Sequence, residues 1–134
     1  MAVLRMSSVV NKRLCLIALA AAAAVSAIGA GAAAATTIFV QSPSRAVACE
    51  VDSHAGAICT VFALARQASV SQHGRVRVFA QDSNPPSGGV RTLRRRHSVR
   101  AGEVRCSGVR AGVRCVQLTT RHGFVATRKG FRRF

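Results

Sequence analysis

The sequence predicts an all-β, mostly β domain: a small disulfide-stapled antiparallel sheet or barrel-like fold of five to seven short strands, preceded by an N-terminal hydrophobic signal helix. Three observations point there. Beyond residue 35, apolar and polar residues alternate in short runs bounded by Gly, Pro, Ser and Asn. No long segment of that region has apolar residues at helical spacing. Its four cysteines stand in two pairs at hairpin separations.

The first 35 residues read as a targeting segment. Arg5, Lys12 and Arg13 make a basic start without acid, residues 14–28 are uncharged and apolar, and residues 29–35 are all small, with Ala33-Ala34-Ala35 as an A-x-A cleavage site. Domain organisation follows as 1–35 signal peptide and 36–134 small β domain, with the N-terminal segment engaging the membrane during export. The alternative is a retained membrane anchor over residues 14–35, long enough to span a bilayer. Alanine is a weak membrane former, and the small-residue patch suits a peptidase.

Residues 36–40 are β-branched and aromatic and suit a first strand. Gln41-Ser42-Pro43-Ser44 is a turn. Residues 45–51 alternate, with Val47, Cys49 and Val51 on one face. After the turn 52–56, residues 57–62 make the partner strand, although 62–68 also fits one helical turn. Residues 75–80 alternate again. Residues 82–89 are the clearest loop. Residues 90–100 hold only three apolar side chains, Val90, Leu93 and Val99, so a strand there belongs at an edge. Residues 103–107 and 112–118 form the last hairpin. No internal repeat is evident.

The hairpins bring Cys49 to Cys59 and Cys106 to Cys115, one pairing out of three possible for four cysteines. Zinc sites use cysteines two to four residues apart, because both thiolates converge on one ion. Nine and eight intervening residues are hairpin spacings, and export favours oxidation, so disulfides are expected, with no metal and no cofactor. The domain has no Trp and no Tyr, which limits its core and makes cross-links valuable.

The chain carries 20 Lys and Arg against four acids, a net charge of +16; after residue 35 the counts are 17 and four, a net +13. Such a charge favours anionic partners and opposes compaction. Codon bias toward arginine is the bland explanation. The densest cations are Arg91, Arg94, Arg95, Arg96 and Arg100, a set suited to phosphate oxygens. The run has no aromatic stacking platform, and the leader points outside the cell. Anionic lipid or a cell-wall polymer is therefore preferred to nucleic acid as partner, against a solvated edge strand whose charges block edge-to-edge pairing.

Ser42-Pro43-Ser44 with Val47 and Cys49, then Leu93, Ser98, Gly102, Val104 and Cys106, then Gly112-Val113-Arg114-Cys115, Thr120-Arg121-His122-Gly123-Phe124 and Thr127-Arg128 form a pattern. It resembles that of a family of small exported actinobacterial proteins of unknown function. The resemblance implies export and a disulfide-bonded β domain, and no reaction. The chain departs from the pattern where Arg95-Arg96 replaces Tyr-Gly and Arg121 replaces the first Gly of T-G-H-G-F.

His122 is the one candidate for acid–base chemistry, with Glu50, Asp82 or Glu103 as its orienting acid. A histidine beside Arg121 and Gly123 is equally a turn residue, and no G-x-S-x-G or H-E-x-x-H is present. The expectation is an exported, non-enzymatic protein, secreted or held in the envelope.

Overall fold

The computed structural model describes residues 34–82, Asn84 and 89–134. The leader expected over 1–35 lies outside the described residues but for Ala34 and Ala35, as do five residues of the 82–89 loop. No helix among the described residues is long and apolar enough to cross a membrane.

The domain is all-β. Its strands are β1 (Thr37–Gln41), β2 (Val47–Asp52), β3 (Gly56–Val61), β4 (Arg66–Val70), β5 (Val76–Ala80), β6 (Arg91–Thr92), β7 (Ser98–Ala101), β8 (Val104–Val109), β9 (Gly112–Gln117), β10 (Gly123–Thr127) and β11 (Gly130–Arg133). Sheet 1 has the order β5-β4-β3-β2-β1-β6 and sheet 2 the order β11-β10-β9-β8-β7. Every pairing between these strands is antiparallel except the short one between β1 and β6, and an isolated parallel bridge joins Arg95 to Gly108. Eleven short strands stand where five to seven were expected. The surplus is β4, β10 and β11, whose runs are too short or too polar to announce themselves, and the division of 90–100 into β6 and β7. The helical turn considered over 62–68 is present as a single 3₁₀ turn, Phe62–Leu64, ended by Ala65 in the left-handed conformation (φ 47°).

Alternation decides what faces the core. In β2 and β3 the inward set is Val47, Cys49, Val51, Ala57, Cys59 and Val61; in β8, β9 and β10 it includes Val104, Cys106, Val113, Cys115, Phe124 and Ala126. Phe124 is the largest fully buried side chain and meets Phe131 edge-on, with ring centroids 6.1 Å apart. Cys49–Cys59 and Cys106–Cys115 are disulfides between directly opposed residues of neighbouring strands. They touch at the middle of the sandwich, Cys59 Sγ to Cys115 Sγ 3.7 Å. The sulfurs of Cys49, Cys59 and Cys115 lie within 4.8 Å of one another, but each is bonded in a disulfide, which leaves no thiolate to hold a metal.

A repeat absent from the sequence pattern is present in the architecture. β1–β5 and β7–β11 are both five-stranded antiparallel meanders, each with a disulfide between its second and third strands. Val47-x-Cys49 matches Val104-x-Cys106, and Gly56-x-x-Cys59 matches Gly112-x-x-Cys115. Each of these glycines opens a third strand where a fourth-strand carbonyl presses close. A Cβ would stand 2.0 Å from Val70 O at Gly56 and 1.8 Å from Ala126 O at Gly112.

The two meanders are joined along one side by residues 89–97. Leu93 is buried there, its N–H donating to Gln41 O (2.8 Å). The link then rests on β8, with Arg96 N–H donating to Gly108 O and Gly108 N–H to His97 O. A Cβ on Gly108 would lie 2.2 Å from Arg94 O, so only glycine admits the link so closely.

Candidate anion-binding surface

Because Cys106 and Cys115 point inward, their neighbours Arg105 and Arg114 point outward. The register completes the surface. Arg100 on β7 pairs with Arg105 on β8, and Arg114 on β9 pairs with Val125 on β10, which pairs with Arg132 on β11. Adjacent strands lie about 4.8 Å apart, so these side chains form a staggered row across the sheet at intervals of roughly 5–10 Å. All four arginines are exposed.

The chain end adds an aromatic. Phe134 exchanges backbone hydrogen bonds with Gly123 (3.0 and 3.1 Å), so its ring lies on the outer face beside that glycine. Arg114 places its guanidinium 4.5 Å from the ring centroid, and Phe134 remains 41% exposed. Among the described residues, no acidic side chain stands on the strands of sheet 2. Glu50 and Asp52 are on β2 in sheet 1, and Asp82 follows β5. Glu103 sits in the β7–β8 turn, where Oε1 accepts from Arg100 Nη2 (3.1 Å). That is the one ion pair among the described residues.

The expected basic run is exposed but divided. Arg91 lies in β6, Arg100 in β7, and Arg94, Arg95 and Arg96 in the link between them. Only Arg100 is on the outer face of sheet 2, and Glu103 already engages it. Arg95 instead lines a cleft of about 260 Å³ at one end of the sandwich, with Ser42, Pro43, Ser44 and Arg110 among its other walls. Sequence reading passed over Arg105, Arg114 and Arg132. The signal for the first two was present: each adjoins a cysteine already assigned to the core.

Three arginines hold left-handed backbone, Arg45 (φ 58°), Arg96 (φ 68°) and Arg121 (φ 66°). A side chain in this region costs about 1 kcal/mol relative to glycine.

His122 is exposed in the β9–β10 turn. Its N–H donates to Thr120 Oγ1 (3.3 Å) and its carbonyl accepts from Gln117 N (2.9 Å). The buried Gln117 side chain holds the same turn, with Oε1 accepting from the N–H groups of Thr119 and Thr120. Among the described residues, no carboxylate lies within ion-pairing distance of His122. In sheet 1, Asp52 caps the β2–β3 turn. The Ala55 N–H, the Thr37 hydroxyl and the His54 N–H bond its carboxylate and hold its pKa below the ordinary value.

Comparison with protein-family models, curated proteins and solved structures found no match to this chain.

Proposed function

We propose that the domain is a non-enzymatic module that works in the envelope or outside the cell and holds to an anionic lipid surface or wall polymer through the outer face of sheet 2. A small β domain with two buried disulfides is compatible with an extracellular protein, since such bonds persist in oxidising compartments. The observation that carries the reading is the row of Arg105, Arg114 and Arg132, exposed on one face and, among the described residues, without an ion-pair partner. Spaced cations on a flat face suit a repeating anion better than a single small ligand. Three arginines in backbone conformations that favour glycine support selection for charge beyond codon bias. The resemblance to the small exported actinobacterial family agrees with export and rests on the motifs alone. His122 serves a turn at the surface, which favours binding over catalysis.

The test is co-sedimentation with anionic vesicles and with an anionic wall polymer at low and physiological salt. Replacing Arg105, Arg114 and Arg132 together with Ser is expected to weaken binding by roughly 1 kcal/mol per arginine. Replacing Arg94, Arg95 and Arg96 is expected to weaken it less, since the run lies off the face. Binding of the wild type should fall steeply with salt. Equal binding by the Arg105/Arg114/Arg132 variant and the wild type at both salts rejects the surface.

A further inference from the structure

Among the described residues, the sandwich is closed along one side and open along the other. On the closed side the chain adds its own β6 to the edge of sheet 1 and buries Leu93 behind it. On the open side β5 and β11 are both edge strands. Val76, Val78 and Phe131 are only partly buried between them, against the core.

The backbone at the β5 edge can be read from its ladder. Ser71 N–H donates to Arg75 O and Gln81 N–H to Ala65 O, so the pairs 71/75 and 65/81 are hydrogen-bonded. Antiparallel bonding alternates, which makes 69/77 and 67/79 the bonded pairs between them. The N–H and C=O groups of Val76, Val78 and Ala80 therefore point away from β4, toward the free edge. The same reading from the Gly123–Phe134 pair leaves those of Phe131 and Arg133 free on β11. A depression of about 650 Å³ runs along β5 past Val76, Arg77, Val78 and Phe79, with Arg133 on its far wall. A second, of about 330 Å³, joins Val78 and Phe131 to Arg66 and Arg133. Among the described residues, Asp82 is the only acidic side chain lining either.

We propose that the β5 edge receives an extended acidic segment of another protein as an added strand. Backbone bonding to Val76, Val78 and Ala80 supplies the attachment. Guest side chains on the inner side lie over Val78 and Phe131, where apolar groups fit, with Arg66 and Arg133 at the rim of that side; the alternate ones lie on the outer side beside Arg77, where carboxylates fit. Arginines on an edge strand also guard against self-pairing. That is why the guest is not a second copy, which would bring two cationic edges together. Residues 1–33 contain no acid and suit the site no better. This surface is separate from the outer face of sheet 2.

The experiment titrates the oxidised protein into a short labelled peptide of alternating glutamate and valine and reads fluorescence anisotropy. A version N-methylated at alternate positions cannot bond along a strand and is expected to bind at least about tenfold more weakly. Val78→Pro removes an N–H that faces the free edge, not the ladder, and is expected to weaken binding to a similar degree, while Val78→Thr retains it. Substituting Arg105, Arg114 and Arg132, which belong to the other, anion-binding face, is expected to leave the difference between the plain and N-methylated peptides intact. Equal binding of the N-methylated peptide overturns the proposal, and that comparison needs no variant to fold. Loss of that difference in the Arg105/Arg114/Arg132 variant overturns it as well, by moving the strand-like contact to the other face.

Discussion

The two sheets share an architecture and differ in what they show to solvent. Both are five-stranded antiparallel meanders with a disulfide between the second and third strands, and sheet 1 takes on β6 as a sixth strand. Their inner faces are alike, rich in Val, Ala and Cys. Their outer faces are not. Sheet 1 carries Glu50 and Asp52 outward, and part of its face is covered. Ala48, Thr60 and Gln67 are buried there, with Gln67 Nε2 donating to Thr60 Oγ1 and Asp82 N–H donating to Gln67 Oε1. Sheet 2 shows Arg105, Arg114, Arg132 and Phe134 openly. One framework thus serves two ends. Inward positions are constrained by packing and stay similar; outward positions are free to diverge, and that divergence is where binding chemistry belongs.

The largest expected effect tests the likeness of the inner faces. Replacing Cys49 and Cys59 with Ala, or Cys106 and Cys115 with Ala, is expected to cost about 3 kcal/mol in either sheet, because the closed loops are nearly equal in length. Denaturant titration of both variants reads this. A large loss in one sheet with none in the other would mean that only one meander depends on its staple.

A smaller effect tests the arginines in glycine-favouring backbone. Arg121→Gly and Arg96→Gly are each expected to stabilise the fold by up to about 1 kcal/mol, measured by denaturant titration, because glycine meets no Cβ penalty at positive φ. Destabilisation by either change would show that these side chains hold the fold, and would remove their support for charge selection.

Legibility followed the same division between inside and outside. The disulfide hairpins were readable because alternation and cysteine spacing agree over β2, β3, β8 and β9. The edge character of 90–100 was readable from its scarcity of apolar side chains. The doubling of the meander was not, since Val-x-Cys and Gly-x-x-Cys are short and the hairpin turns between them differ in length. The basic face was missed for a related reason. A run such as Arg94-Arg95-Arg96 is conspicuous in sequence, whereas Arg105, Arg114 and Arg132 lie on three strands and converge only once β8–β11 are in register. In sequence they are single residues; in space they are one surface.

The most direct test of the central claim maps the contact itself. Backbone amide chemical shifts of the isotope-labelled protein are followed while a soluble anionic polymer is added at low salt. Shifts concentrated in β8, β9, β10 and β11, strongest at Arg105, Arg114, Arg132 and Phe134 and reversed by added salt, are the predicted result. Shifts spread evenly over both sheets, or confined to β2 and β3, would contradict it.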